Sequence, residues 1–132
     1  GCTSFLSAEE KSEGKKYRLE KKDEGVEVYL GEQMLTKYWQ KSGTKPILWP
    51  IHGLEGVART RAYPMDDKQV GEEKDHIHHR SLWFTHGEVN DLDFWAETPK
   101  SGLIVHKTYE KIADGDTATI ETSSDWVSPE GT

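Results

Sequence analysis

Four of the six histidines in the chain lie within eleven consecutive positions. They are His76, His78, His79 and His86. An imidazole titrates near neutral pH and passes protons readily, and its unprotonated nitrogen is also a common metal ligand. If residues 76–80 are extended, the two-residue period of a strand places His76, His78 and Arg80 on one face. That face then carries two imidazoles and one guanidinium.

The same residues support a metal-binding interpretation. Two imidazoles at positions i and i+2 of a strand can share a metal ion, and one carboxylate would complete a set of two histidines and one acid. The candidate carboxylates are Asp75, Glu88 and Asp91. Arg80 on the same face would repel a cation. The first hypothesis is therefore a site without a cofactor, and the alternative is a divalent transition metal on His76, His78 and Asp75.

The favoured use of the cluster is acid–base work on a polyhydroxylated or carbonyl substrate. His76, His78 and His79 are the predicted catalytic residues, and Arg80 would orient a polar oxygen of the substrate. Flat aromatic faces suit a sugar ring, and histidines or arginines on neighbouring segments supply hydrogen bonds. The further candidates for substrate binding are His52, Arg61, His86, Trp49, Trp83 and Trp95. A structural alternative pairs His79 with Asp75 and assigns the tryptophans to the core.

Charge and hydropathy exclude several classes of protein. The net charge is −7, from 24 acidic and 17 basic residues, which argues against a surface that follows nucleic-acid phosphates. No apolar run reaches the roughly 18–20 residues that a membrane helix needs. The sequence contains neither a glycine-rich phosphate loop nor a nucleophile elbow. The expected partner is a small molecule.

The first residues resemble the start of a bacterial lipoprotein. Gly1 and Cys2 are followed by small polar and charged residues, so Cys2 would carry the lipid and residues 1–15 would form a flexible tether. On this interpretation the protein is exported and is periplasmic or membrane-anchored. The alternative is an ordinary thiol, and this single cysteine excludes an internal disulfide bond.

From residue 16 onward, short apolar runs alternate with turn residues and predict strands rather than helices. Predicted strands cover 17–21, 26–30, 34–39, 81–85, 103–109 and 117–122. Residues 46–53 are bracketed by prolines and predict an edge strand or extended loop, and residues 66–74 predict a long loop over the site. The continuously apolar segment 81–85 predicts a strand covered on both faces. The expected fold is an all-β antiparallel β-sandwich over 16–132, with a further strand beginning at 125.

Several motifs together resemble the family known as PmoA-like, or methane oxygenase PmoA, a bacterial group of unknown function. They are residues 45–51 (KPILWPI), 61–65 (RAYPM), 75–87 (DHIHHRSLWFTHG) and 93–95 (DFW). The resemblance extends from about Tyr17 to Trp126, with Ile77 where the family prefers proline. Members of the family continue beyond this length, which implies that the chain is an N-terminal fragment.

The resemblance implies a large sandwich similar to that of the galactose mutarotase group, whose members bind or isomerise sugars. An analogy between folds does not assign a reaction, so the enzyme class stays open among epimerase, lyase and hydrolase. A carboxylate base opposite the histidines would lie in the missing part. A sugar-binding module without catalysis is the remaining alternative.

Overall fold

The computed structural model describes residues 16–132, and every regular element within them is a β-strand. The strands are β1 (Tyr17–Lys21), β2 (Gly25–Leu30), β3 (Gln33–Ser42), β4 (Lys45–Ile51), β5 (Leu82–Trp83), β6 (Leu103–Ala113) and β7 (Thr119–Val127). No helix in this part of the chain is long and apolar enough to cross a membrane. The predictions for Cys2 and for a tether over 1–15 lie outside the described residues.

Two antiparallel sheets make up the fold. The first five strands form one sheet in chain order, and β6 and β7 form a hairpin of their own. The alternation that predicted β2 and β3 is confirmed, because Val26 and Val28 are buried and face the same side. The predicted final hairpin is also confirmed around its turn at residues 114–118.

Hydrogen bonds at several places attach the hairpin to the sheet. The Ile104 amide donates to the Thr44 carbonyl over 2.8 Å, and Tyr17 and Gly115 exchange backbone hydrogen bonds of 2.7 and 3.1 Å. The Tyr38 hydroxyl lies 2.8 Å from Nδ1 of His106. Apolar side chains from both sheets and from the loop before β6 pack between the large sheet and the hairpin. This packing gives an all-β sandwich. Its buried apolar residues are Val26, Val28, Tyr38, Ile47, Phe94 and Ile104.

The edge-strand prediction for 46–53 is wrong, because β4 is paired on both sides. It pairs with β3 along its length and with β5 at Ile47 and Leu48. Proline is tolerated here because the register against β3 shifts at the two ends of the strand, where Pro46 and Pro50 lie. Their missing N–H groups therefore remove no ladder hydrogen bond.

The segment 81–85 is not a strand covered on both faces. Only Leu82 and Trp83 pair with β4, and Leu82 is 53% exposed and Phe84 80% exposed. Ser81 has a φ of 60°, outside the extended region, which stops the strand on its N-terminal side. The new strand predicted from residue 125 is also wrong, since 125–127 continue β7 opposite β6.

An apolar groove of about 780 Å³ runs between the sheet and the hairpin. Its walls come from strands β2 to β5 and the segment after β5 on one side, and from β6, β7 and the turn between them on the other. Prominent lining residues are Ile47, Leu48, Leu82, Phe84, Ile104 and Trp126.

Candidate functional site

The histidines lie on a turn rather than on a strand. The His79 amide donates to the His76 carbonyl over 2.9 Å, and residues 77 and 78 form the turn between them. His76 has a φ of 42°, which is incompatible with the extended conformation on which the two-face prediction depended. That prediction is wrong. We call residues 76–79 the histidine turn.

The turn brings together the three imidazoles that strand geometry would have divided between two faces. The rings of His76 and His79 stack with centroids 4.7 Å apart, and His78 stands edge-on to both. One nitrogen from each residue lies within 4.8 Å of the other two. Within the described part of the chain, this group of potential metal ligands consists of three imidazoles. Its third member is His79, whereas the sequence-based alternative had Asp75 as the third ligand.

Burial lowers the pKa of His78, and the neighbouring charges of His79, Lys45 and His76 lower it further. Both effects disfavour the charged form of an imidazole that is partly removed from water. His78 is therefore neutral at pH 7, and one of its ring nitrogens has a free lone pair.

Next to the histidine turn lies a buried charge cluster of Lys45, Arg80 and Glu97. Arg80 forms a bidentate pair with Glu97, with Nε–Oε1 and Nη2–Oε2 distances of 2.7 Å, and its Nη1 donates to Ser42. Lys45 is fully buried and donates to Glu97 over 3.2 Å and to the His78 carbonyl over 3.0 Å. The cluster therefore holds the backbone of the histidine turn in place.

Electrostatics within the cluster favour the charged form of Glu97. Burial raises the pKa of Glu97, but hydrogen bonds from Arg80 and the charge of Lys45 outweigh it, so this pKa lies below its usual value. Burial lowers the pKa of Lys45, and Glu97 opposes that effect. Neither Lys45 nor Glu97 is among the predicted site residues, because a lysine after a turn and a glutamate in a loop ordinarily face solvent.

Gly43 provides the space that this cluster needs. It has a φ of 63° in the turn between β3 and β4, a conformation that favours glycine. A Cβ atom there would lie 2.3 Å from Oε1 of Glu97 and 2.7 Å from Nε of Arg80. The turn and the buried ion pair therefore both require glycine.

Arg61 fixes the chain just before the histidine turn. Its guanidinium donates to Oδ1 of Asp75 over 2.8 Å and to the carbonyls of Glu73, Asp75 and His76. Arg61 also holds the pKa of Asp75 below its usual value through this hydrogen bond. The other oxygen of Asp75 lies 3.5 Å from Nε2 of His76. Asp75 thus pairs with Arg61 and His76, not with His79 as the structural alternative expected.

The predicted loop over 66–74 has no regular structure, as expected. The Glu72 carboxylate ties it down by accepting hydrogen bonds of 2.9–3.0 Å from the amides of Ala62 and Tyr63. The loop and the segment that carries Arg61 are therefore joined beside the histidine turn.

A cleft of about 400 Å³ opens next to the turn. It is lined by Thr60, Arg61, His79, Ser81 and Trp83, and we call it the His79 cleft. The hydroxyls of Thr60 and Ser81 are 2.8 Å apart, and the His79 ring stacks on Trp83 at 5.4 Å with an angle of 20° between the planes.

Trp95 stands beside this stack. Its ring lies 5.9 Å from that of Trp83 and 6.3 Å from that of His78, and the residue is 42% exposed. Trp83 and Trp95 are therefore both close to the histidine turn.

The remaining predicted site residues have contacts elsewhere. Nδ1 of His52 lies 3.0 Å from the Met34 carbonyl, and exposed His86 forms a hydrogen bond of 2.9 Å with the Glu88 carbonyl. Trp49 lies against Trp39 and accepts a hydrogen bond from its indole through the backbone. These three residues are not among those that line the His79 cleft.

We compared the chain with curated proteins, solved structures and protein-family models. No curated protein and no solved structure is significantly similar to the chain. The resemblance to the PmoA-like family and the galactose mutarotase group stays a prediction. A family model does match residues 25–132, a range that contains Lys45, the histidine turn and Glu97. The chain therefore belongs to the family described as Family of unknown function (DUF6807).

Proposed function

We propose that this protein binds a small polyhydroxylated molecule of the carbohydrate class in the His79 cleft. The observation that carries the proposal is the lining of that cleft, where two hydroxyls, an imidazole and an indole meet in one concave space. Small-molecule sites combine apolar surface with a few convergent polar groups in this way, in volumes of about 300–1,000 Å³.

Each lining group has a counterpart in a sugar. The hydroxyls of Thr60 and Ser81 now satisfy each other at 2.8 Å, and each can also donate to or accept from a ligand hydroxyl. His79 adds a ring nitrogen at the wall. Trp83 is stacked on His79 and has the Lys45 ammonium 5.5 Å from its centroid. Trp95, which stands beside Trp83 outside the lining of the cleft, is 42% exposed and offers the freer aromatic surface.

The two arginines serve to position the site in this proposal. The Arg80 guanidinium is engaged by Glu97 and Ser42, and that of Arg61 by Asp75 and three backbone carbonyls. The polar side chains of the cleft that remain available to a substrate are the hydroxyls of Thr60 and Ser81 and the imidazole of His79. If the bound sugar is turned over, the protein is an epimerase, a lyase or a hydrolase; if it is only bound, the protein is a sugar-binding module.

The proposal is tested by titrating the protein with a panel of sugars and oxidised glycosides, using calorimetry for binding and chromatography for turnover. Thr60→Val removes one cleft hydroxyl and keeps the shape of the side chain. The lost hydrogen bond should weaken binding by about 1 kcal/mol, roughly fivefold.

Thr108→Val is the matched control, because the Thr108 hydroxyl is paired with Ser123 on the exposed face of the hairpin. It should bind as the wild type does. A panel with no binding member, or equal affinity in wild type and Thr60→Val, would show that the cleft is not a sugar site.

Localisation belongs to the same proposal. Export with a lipid on Cys2 would place the cleft outside the cytoplasm. Mass spectrometry of the native protein after membrane extraction tests this, and an unmodified Cys2 would exclude the anchor.

A further inference from the structure

We infer that the histidine turn is a binding site for one divalent transition-metal ion of the zinc class, with His76, His78 and His79 as its protein ligands. The inference goes beyond the proposed function, because metal binding is measurable without any sugar. It depends on the convergence of three imidazoles from four consecutive residues.

The distances are suitable for such an ion. Metal–nitrogen bonds of about 2.0–2.1 Å at tetrahedral angles place the ligand nitrogens about 3.3 Å apart. The three nitrogens of the turn now lie within 4.8 Å of one another. Closing the set requires shifts of roughly 1.5 Å or less between nitrogens, within reach of side-chain rotation. The His76 side chain is 57% exposed and has room to rotate.

The cationic side chains around the turn are paired with carboxylates, which reduces the repulsion of a cation that strand geometry predicted. Arg80 points to Glu97, and both of its forked bonds are 2.7 Å long. Lys45 and Arg61 each donate to a carbonyl of the turn, and the Lys45 ammonium also contacts Glu97. Glu97 offsets one of the two positive charges of Arg80 and Lys45, and Asp75, 3.5 Å from His76, offsets the charge of Arg61.

Each ligand also has a neighbour that orients it. Asp75 lies beside His76 and is itself held by Arg61, the carboxylate–histidine arrangement that surrounds many metal sites. Lys45 holds the His78 carbonyl, and Trp83 stacks on the His79 ring.

Three protein ligands leave a coordination position open. Catalytic zinc sites keep such a position for water or substrate, whereas structural sites fill all four with protein ligands. His79 belongs both to the metal ligands and to the wall of the His79 cleft. The ion would therefore lie beside the space in which a small molecule would bind, and it would polarise a substrate oxygen that reached its open position.

The inference is tested by titrating the chelator-treated full chain with Zn²⁺ in a calorimeter and with Co²⁺ in a visible spectrometer. We expect one ion per chain and the visible bands of nitrogen-coordinated cobalt. His79→Ala should weaken binding at least about 100-fold, since even changes around the ligands of such sites cost 10–100-fold. His86→Ala removes an exposed imidazole outside the turn and should bind as the wild type does.

Loss of the stack on Trp83 could unfold His79→Ala, so His76→Ala provides a second test on an exposed side chain. It should also lose Zn²⁺ affinity while keeping the wild-type circular dichroism spectrum. Absence of stoichiometric binding, or equal affinity in His76→Ala, His79→Ala and His86→Ala, would overturn the inference.

Repeating the sugar titrations with and without chelator separates the two proposals. Sugar binding without any metal binding would refute the metal site and leave the proposed function intact. Metal binding by a protein that binds no sugar would refute the proposed function alone.

Discussion

Glu97 is the residue on which the candidate site depends most, although it contacts no histidine side chain. It joins Arg80, next to the histidine turn in sequence, to Lys45, which bonds the turn's backbone. Buried charges of this kind contribute little net stability as a set, but removal of one member leaves the others uncompensated. Loss of this carboxylate should therefore be more damaging than the loss of any surface acid.

We predict that Glu97→Gln lowers the free energy of unfolding by about 3–5 kcal/mol, the usual cost of leaving a buried charge without its partner. Urea denaturation measures the change. Glu121→Gln, on the exposed face of β7, is the control and should stay within about 0.5 kcal/mol of wild type. Equal effects of the two changes would contradict the role given to the cluster.

Stability should also depend on pH through Glu97. Its pKa is lower in the folded protein than its ordinary value of 4.5, so its contribution is complete above that value. The contribution is lost as the pH falls from 4.5 through the folded pKa. Urea denaturation from pH 7 to pH 3 should show a steeper acid decline in wild type than in Glu97→Gln. Parallel curves would show that the decline comes from other carboxylates.

Among the elements, the turn between β3 and β4 is the one most tightly constrained by the site. Gly31 and Gly43 both close hairpins of the large sheet with positive φ, 61° and 63°. A Cβ atom on Gly31 would meet nothing within 4 Å, whereas one on Gly43 would meet Glu97 and Arg80. The same substitution at the two glycines therefore separates the cost of backbone strain from the cost of steric contact.

We predict that Gly31→Ala costs about 1–2 kcal/mol, the price of a left-handed residue with a Cβ atom. Gly43→Ala should cost clearly more, because it adds the displacement of the buried ion pair to the same backbone strain. Thermal or urea unfolding of both variants supplies the comparison. A difference near zero would mean that the Arg80–Glu97 pair moves aside without loss.

Elements with a two-residue apolar period could be predicted from the sequence, and the site could be predicted only in part. β1, β2, β3 and the β6–β7 hairpin follow from alternation and turn residues, which are local signals. The histidine turn does not follow from such signals, because no local sequence pattern predicts the left-handed conformation of His76. The ion pair of Arg80 does not follow from local signals either, because its partner Glu97 lies 17 residues away, in a loop.

At the scale of the whole molecule, the two sheets are joined by few polar contacts. Tyr38 on β3 and His106 on β6 are linked by a hydrogen bond of 2.8 Å, and Gln40 on β3 donates to the Tyr109 hydroxyl over 2.9 Å. Burial raises the pKa of Tyr38 and lowers that of His106, so both remain neutral at pH 7.

We predict that Tyr38→Phe destabilises the protein by about 1–3 kcal/mol, since it leaves a partly buried imidazole nitrogen without its partner. The matched change Tyr29→Phe should be nearly neutral, because the Tyr29 hydroxyl makes only a 3.4 Å contact with Glu27. Chemical denaturation monitored by tryptophan fluorescence measures both. Indistinguishable midpoints for the two variants would argue against a coupling of the sheets through this pair.

Residues 43–45, at the turn between β3 and β4, contact three separate parts of the molecule. Gly43 leaves space for the buried ion pair, and the Thr44 carbonyl accepts a hydrogen bond from the amide of Ile104 in the hairpin. The Lys45 ammonium donates a hydrogen bond to the His78 carbonyl. The histidine turn and the hairpin, which are separated by more than twenty residues of chain, are therefore hydrogen-bonded to two consecutive residues of the same turn region.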